Sequence, residues 1–293
     1  MADKRRQKAP EALVAPSTLA AFPAADGEAI MGVAGTVQEL LGDERHRLKL
    51  YEAVAAEVRR VLNSTTDDSL PLQGPWSEDA FKDRVTKYDG LLRDLVRVQA
   101  LLGFWGMSAP VRSVTLAPKR LCGPFVTKTG TTGWLALRWY PALLILYSGG
   151  IAAVAAERYD NLREILLCSV SGGRSGREEP FVRAVTEGSD DVAQVFGLLP
   201  GHDRQHVPRS KYLYQLLQPL LDDLLFLGSD YEAAFDRFET LYALEHAHQY
   251  EAEGGRCWGP IGRFGWKVDR GQGGPLALLL SDAERQGAKY SSP

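Results

Sequence analysis

The chain has 293 residues, a formal net charge of −3, 45% hydrophobic residues and 24% charged residues. It is long enough to bury a sizeable core, and it lacks the net positive charge that draws proteins to nucleic acid or to anionic membranes. We therefore expect neither nucleic acid nor a membrane as a partner. Its three cysteines lie far apart without a CxxC pair, which favours a reducing, cytoplasmic location over a disulfide framework.

The first 30 residues combine a basic start with many alanines and prolines. Acidic residues and prolines interrupt the continuous apolar run that a secretion signal needs. This composition predicts a disordered N-terminal tail over residues 1–30. Residues 31–293 are predicted to form a single helical domain, with a possible sub-boundary near residues 169–180, a Gly/Ser-rich segment expected to be a flexible loop.

Two early helices are predicted from their first residues and their apolar spacing. Asp43 has a side chain that accepts hydrogen bonds from the backbone at the start of a helix. Ser77 has the same property before the next helix, where Glu78 and Asp79 suit the positive end of the helix dipole. This second helix is apolar over so much of its surface that we expect it to lie between neighbouring elements.

The helical pattern stops between residues 106 and 133. Pro110, Pro118 and Pro124 exclude a long helix there, whereas the β-branched and aromatic residues between them allow short strands. The sequence therefore predicts a short excursion of loop or β structure.

From Trp134 to Leu167 the helical pattern returns. Residues 139–156 within it carry no charge, and this length only just reaches what is needed to span a bilayer. Because Pro141 and the Gly149-Gly150 pair interrupt the run, we expect a core helix of a soluble protein, with a membrane-inserted helix as the alternative. The double glycine marks either a break in the helix or a point of close packing.

Two adjacent helices are predicted near the C-terminus. The first starts at Ser210 and ends before Gly228, which suits the left-handed residue that follows many helices. Ser229 and Glu232 have the S-x-x-E spacing of a capping box for the second helix. Because the connection is so short, the two helices are expected to be antiparallel neighbours. Beyond Gly254 the chain is predicted to be irregular, and the fold class is mainly α, an irregular multi-helix bundle.

Three short motifs resemble functional signatures but lack an essential part. Residues 128–130 match the KTG box of penicillin-recognising enzymes, yet the chain has no Ser-x-x-Lys nucleophile motif. Residues 123–129 have the outline of a phosphate-binding loop, but Thr127 replaces the glycine that lets the backbone wrap a phosphate. His202 and His206 have the i,i+4 spacing of metal ligands, but prolines flank them and no third ligand is evident. No metal or cofactor is therefore predicted.

The last predicted helix carries a candidate site at the point where its apolar stripe turns polar. Continuing the stripe from Tyr231 at 3.6 residues per turn brings up Glu245 and Gln249, with His246 beside them. Such a face either emerges into solvent or lines a pocket. In a pocket, Glu245, His246 or His248 would be candidates for general acid and base.

A second part of the candidate site follows in the segment CWGPIGRFGW. It contains Trp258, Arg263, Phe264 and Trp266 in a stretch shaped by glycine and proline. These side chains either stack on a ligand or a partner, or they pack onto the helical core and anchor an irregular tail.

Three stretches of the sequence carry a resemblance: LRWYPALLILYSGGIAAVAAERYDNL, YEAAFDRFETLYAL and WGPIGRFGW. They resemble a helical region towards the C-terminus of uncharacterised multidomain bacterial proteins, where it often follows a Schlafen-like (AlbA-type) or other nucleotide-related effector domain. The resemblance covers roughly residues 45–290 and transfers no catalytic residue. The residues before Asp43 are too few to form the effector domain, so the resemblance implies a sensing or interaction module that works with a separate effector.

The sequence leaves three functional hypotheses open. The first is a non-enzymatic helical binding or regulatory protein of bacterial type, active in defence or stress response, whose partner is another protein, either an effector or a second copy. The second is a small hydrolase or transferase with dispersed catalytic residues around Glu245 and His246. The third is a membrane-associated helical protein that uses residues 139–156.

Overall fold

The computed structural model describes residues 32–106, 113–123, 129–171, 177–252, 254, 258–267 and 274–290. The prediction of a mainly α protein is confirmed, because the only strands in these residues form one two-stranded antiparallel sheet. The elements are α1 (Val33–Leu41), α2 (Arg47–Ser64), α3 (Glu78–Trp105), α4 (Leu116–Cys122), α5 (Thr132–Leu137), α6 (Tyr140–Ala155), α7 (Tyr159–Leu167), β1 (Ser169–Ser171), β2 (Glu178–Pro180), α8 (Phe181–Ser189), α9 (Pro208–Leu225), α10 (Asp230–Ala252) and α11 (Pro275–Tyr290). The tail predicted over residues 1–30 lies outside the described residues.

Both predicted N-terminal caps are present. The Ser77 hydroxyl accepts a 3.2 Å hydrogen bond from the backbone N–H of Ala80 at the start of α3. The Asp43 carboxylate accepts a 2.9 Å bond from the N–H of Arg45, and this cap begins a short 3₁₀ turn that leads into α2. Polar side chains next to apolar repeats therefore located these two helix starts correctly.

The predicted connection between the last two long helices is wrong in its details. Phe226, rather than Gly228, takes the left-handed conformation directly after α9, with φ of 56°. Gly228 is also left-handed but lies within the connection. The capping box does not form among the described residues, because Glu232 pairs with Arg263 and Lys267 instead of capping α10. These ion pairs join residues that are about 30 positions apart in the sequence, so the local spacing of residues could not predict them.

The excursion predicted between residues 106 and 133 contains a short helix, α4, where strands were expected. Pro118 is compatible with it because the first turn of a helix has N–H groups without intrahelical partners. The strands lie instead at 169–171 and 178–180, in the segment predicted to be a loop. Residues 107–112 and 124–128 lie outside the described residues.

The helix α6 lies at the centre of the core. Every residue from Tyr140 to Val154 is buried, and buried apolar residues from α1 through α10 form one cluster around it. The described residues contain one helical stretch that is long and apolar enough to cross a membrane, Thr132–Ala155. Of its most apolar part, 94% is buried inside the protein. The predicted core helix is therefore confirmed, as expected for a soluble fold.

Close packing, not a helix break, explains the double glycine. A Cβ atom on Gly103 of α3 would lie 2.3 Å from the carbonyl oxygen of Gly149 in α6. A Cβ on Gly150 would lie 2.1 Å from the ring of Phe238 in α10. The absence of side chains at these positions lets α3 and α10 approach α6 from different sides.

We predict that Gly103→Ala destabilises the fold by about 1–3 kcal/mol, because the added methyl group meets a backbone atom of α6 that cannot move independently. The free energy of unfolding in urea measures this effect. Gly42→Ala is the matched control, since its nearest neighbour would be 3.8 Å away, and we expect a change of less than about 1 kcal/mol in the stabilising direction. Equal effects of both substitutions would contradict the packing argument.

Candidate functional site

Residues 258–267, here called the cover segment, lie across α10 and the start of α9. Two of its glycines contact α10 directly. A Cβ on Gly259 would lie 2.3 Å from the carbonyl oxygen of Ala243, and a Cβ on Gly262 would lie 2.2 Å from the Glu239 carboxylate. The backbone of the cover segment therefore packs against α10 at distances that only glycine permits.

Arg263 anchors the cover segment in the protein. Its side chain is 6% exposed, and its guanidinium lies 3.7 Å from the ring centre of Tyr214. Its Nη2 donates a 2.5 Å hydrogen bond to Glu232, and its Nε lies 3.6 Å from Asp236. Lys267 donates hydrogen bonds to the same two carboxylates. The bond from Lys267 to Glu232, together with the bond from Arg263, lowers the pKa of Glu232. Stacking and paired charge hold this end of the segment in place.

Beneath the cover segment lies the Glu239 cluster, which consists of Glu239, Tyr147 and Ser210. Glu239 Oε1 accepts hydrogen bonds from the Ser210 hydroxyl at 2.6 Å and from the Tyr147 hydroxyl at 2.9 Å. Ser210 Oγ in turn accepts a 2.9 Å bond from the backbone N–H of Arg263. The cluster thus connects α6, α9, α10 and the cover segment through one buried carboxylate.

Burial determines the protonation of the Glu239 cluster. It raises the pKa of Glu239 to about 7, against the opposing effect of the hydrogen bonds from Ser210 and Tyr147. It also raises the pKa of Tyr147 well above its usual value, so this phenol keeps its proton. Both hydroxyl protons of the cluster are therefore directed at Glu239 Oε1.

A second cluster of the same kind lies deeper in the core. Asp89 of α3 accepts a 2.7 Å hydrogen bond from Tyr140 of α6 and another from Tyr212 of α9. Burial raises the pKa of Asp89 to about 7. We assign this cluster to the core because Asp89 and Tyr140 are almost completely buried and line none of the cavities described below.

A cavity of about 160 Å³ opens beside the Glu239 cluster. Its walls come from α6, from the segment after α8, from the start of α9 and from the cover segment. The lining residues are Tyr147, Asp190, Ala193, Gln194, Val207, Arg209, Ser210, Trp258, Pro260, Ile261 and Gly262. Its floor is polar and buried, whereas Asp190, Gln194, Trp258 and Ile261 are exposed at its mouth.

A larger open groove, of about 810 Å³, lies between α10, the cover segment and α11. Its charged side chains already pair with one another. Arg237 lies 3.2 Å from Asp282, and Lys267 bonds to Glu232 and Asp236. These ion pairs balance the charges of the groove within the chain.

The structure separates the predicted residues of α10. His246 is fully buried, and its Nδ1 lies 3.1 Å from the main-chain carbonyl oxygen of Trp258. Since that oxygen only accepts hydrogen bonds, Nδ1 carries the proton, and burial lowers the pKa of the ring. Glu245 and Gln249 are half-buried and bond to each other at 2.7 Å. Within the described residues, no hydrogen bond or ion pair joins the side chains of Glu245 and His246.

The predicted residues of the cover segment also divide between different environments. Trp258 is 48% exposed and contacts His246 edge-on, with ring centres 5.3 Å apart. Arg263 is buried in its ion pairs, and Phe264 is half-buried. Trp266 is 57% exposed and stacks on His206 at 4.4 Å. The structure thus brings Trp258 together with His246, whereas Arg263 pairs with Glu232 and Trp266 stacks on His206.

The two histidines of the predicted i,i+4 motif contact different rings. His202 is buried edge-on against Tyr212, and His206 stacks on Trp266. In the part of the chain that the structure describes, no group of three or more His, Cys, Asp or Glu side chains is placed to hold a metal ion.

Sequence analysis missed the residues that line the cavity floor. Glu239 had a detectable signal, since it lies four residues after Phe235 and three before Tyr242, which are both buried. Tyr147, Ser210 and Arg209 had none, because their importance depends on contacts between distant parts of the chain. Comparison with protein-family models, with curated proteins and with solved structures gives no match to this chain.

We predict that Glu239→Gln changes the pH dependence of stability. The pKa of Glu239 is about 7 in the folded state, against 4.5 as its ordinary value. The folded protein therefore binds more protons than the unfolded chain between these values, and this carboxyl lowers stability as pH rises through that range. From pH 4.5 to 8, the variant should gain up to about 3 kcal/mol relative to the unmodified protein in urea unfolding.

Glu52→Gln is the control for this comparison, because Glu52 is exposed on α2. If the difference between Glu239→Gln and the unmodified protein is constant with pH, Glu239 does not hold a proton in the folded state.

We predict that Arg263→Lys loosens the cover segment, because lysine lacks the planar group that stacks on Tyr214 and the fork that reaches both carboxylates. Amide hydrogen exchange in residues 258–267 should become roughly tenfold faster or more, as expected for a loss of at least about 1.4 kcal/mol of local stability. Arg204→Lys, at a side chain that is 94% exposed, should leave this exchange unchanged. If amide hydrogen exchange in residues 258–267 is unchanged in Arg263→Lys, then Arg263 does not anchor the cover segment.

Proposed function

We propose that this chain is a non-catalytic binding protein that contacts a second protein through an apolar face formed by Trp258, Ile261 and Trp266. The observation that carries the proposal is the exposure of these side chains, which is 48%, 64% and 57%. Tryptophan is enriched among the residues that contribute most to protein–protein affinity. An exposed group of this kind on an anchored segment is typical of a contact surface.

The position of the apolar face on the cover segment favours binding. Gly259 and Gly262 fix the backbone against α10, and Arg263 holds its far end. Ile261 also contacts the backbone of the following turn, since a Cβ on Gly265 would lie 2.3 Å from its side chain. Because the segment is already ordered, little conformational entropy is lost when a partner binds.

The size of the apolar face supports one kind of partner. Two half-exposed tryptophans and an isoleucine offer roughly 300 Å² of apolar surface. A stable interface needs about 800 Å² from each partner, so this face is too small for a permanent dimer of two copies. We therefore infer that the partner presents a short apolar segment and binds transiently, as a separate effector bound by a regulatory module in the cytoplasm would.

The alternative of a hydrolase or transferase has less support. Its candidate residues Glu245 and His246 have different partners, and the ring of His246 is buried with Nδ1 bonded to a main-chain carbonyl. General acid–base catalysis needs a titratable group within reach of a substrate proton.

Site-specific photo-crosslinking in the native cell tests the proposed contact. A photoreactive phenylalanine at position 258 or 266 should give a covalent adduct with one protein, which mass spectrometry identifies. The same group at position 105 is the control, because Trp105 is 56% exposed on α3, outside the apolar face. Adducts that are the same at all three positions, or absent at 258 and 266, would count against the proposal.

We predict that Trp258→Ala and Trp266→Ala each weaken binding of the purified partner by at least tenfold, or about 1.4 kcal/mol, because they remove the largest apolar side chains of the face. Isothermal titration calorimetry measures the affinity. Trp105→Ala should bind as the unmodified protein does, and circular dichroism of every variant should show an intact fold. Equal affinity of all variants would refute this contact site.

A further inference from the structure

Arg209 is a buried arginine without an acidic partner in the described part of the chain. Its side chain is 9% exposed, and its Nη1 donates to the carbonyl oxygen and the hydroxyl of Ser189 at 2.6 and 3.0 Å. Its Nε and Nη2 make no hydrogen bond to a described residue. A guanidinium that is largely, though not completely, withdrawn from solvent still gains from a counter-charge or further acceptors.

The remaining donors of Arg209 are available to the 160 Å³ cavity, which this residue lines. Arginine presents its N–H groups in a planar fork that matches a carboxylate. The described wall of the cavity contains one carboxylate, Asp190, which is exposed at the mouth and forms no ion pair with Arg209 within 4.0 Å. A bound ligand could therefore supply the missing anion.

The other polar groups of the cavity favour a ligand that also donates hydrogen bonds. Tyr147 and Ser210 each donate a hydrogen bond to Glu239, so their oxygens are left as acceptors. The oxygen of Ser210 already accepts from the backbone N–H of Arg263, which leaves Tyr147 as the acceptor for a ligand. Asp190 adds a negative charge at the mouth. A purely anionic ligand would be repelled by Asp190, whereas a ligand with a positive group at a short distance from its carboxylate would satisfy both sides.

We propose that this cavity binds a small zwitterion, an amino acid or a similar amino-bearing carboxylate, with its carboxylate on Arg209 and its ammonium group towards Tyr147 and Asp190. The volume fits this class, because an engineered protein cavity of about 150 Å³ holds a molecule the size of benzene. Trp258, Val207 and Ala193 supply an apolar wall for a short side chain. The site shares Trp258 and Ile261 with the proposed protein contact, whereas its charged groups, Arg209 and Asp190, lie outside that face.

Ligand-detected NMR with the full chain tests the proposal with matched probes. L-Alanine and L-valine carry both charges, propionate lacks the ammonium group, and alaninamide lacks the carboxylate. We expect saturation transfer from the protein to at least one of the two amino acids, and at least tenfold weaker binding of both single-charge probes. Absence of binding by both amino acids, or equal binding of all probes, would overturn the proposal.

Two variants locate the bound molecule. Arg209→Gln should weaken amino-acid binding at least tenfold, whereas Arg204→Gln, which removes the same charge from an exposed position, should not change it. Asp190→Asn should weaken the binding of the amino acid and strengthen the binding of propionate, because it removes the negative charge at the mouth of the cavity.

Asp190→Asn keeps the proposal falsifiable if Arg209→Gln fails to fold, since Asp190 is exposed. Amino-acid and propionate binding that are both unaffected by Asp190→Asn would place the ligand elsewhere and overturn the assignment. Loss of amino-acid binding with unchanged crosslinking at positions 258 and 266 would separate this site from the protein contact.

Discussion

The structure depends on one helix, α6, that is apolar on every side. A helix without a polar face has to be surrounded, and here α3, α4, α7, α8, α9 and α10 pack around it. The approach is closest where Gly103 of α3 meets the backbone of Gly149 and where Gly150 leaves room for the ring of Phe238 of α10. This arrangement brings the polar groups of the surrounding helices into the interior, so each of them needs a partner there.

Two tyrosines of α6 provide such partners. Tyr140 and Tyr147 are seven residues apart and so lie on one side of the helix. Each donates to a carboxylate from a different helix, Asp89 of α3 or Glu239 of α10. Side chains of α9 complete both clusters, Tyr212 at the first and Ser210 at the second. The position of α9, and with it the cavity at its start, therefore follows from hydrogen bonds to the buried carboxylates.

The sequence predicted the helical class, both early caps and the buried central helix, because these depend on local spacing. It placed the candidate face of α10 at Glu245, His246 and Gln249 and did not single out Glu239. Phe235, Glu239, Tyr242 and His246 follow one another at intervals of four, three and four residues, and the structure buries all of them. Glu239 can be buried because Tyr147 and Ser210 donate to its Oε1 and burial raises its pKa to about 7, and no local pattern contains that information. The strands at 169–180 and the short helix α4 were missed for a related reason, since tertiary contacts override weak local preferences.

Arg209 and Arg263 differ in how the protein compensates a buried positive charge. Arg263 has two carboxylates and an aromatic ring, so its charge is balanced within the chain and its position is fixed. Arg209 donates hydrogen bonds to the carbonyl oxygen and the hydroxyl of Ser189. No carboxylate of the described residues lies within 4.0 Å of its guanidinium nitrogens. The cover segment connects these two environments, because Arg263 anchors one end while Trp258 and Ile261 form the wall of the cavity beside Arg209. A charge balanced in the folded chain stabilises structure, whereas a charge left without a counter-ion next to an open cavity gains free energy when a ligand brings one.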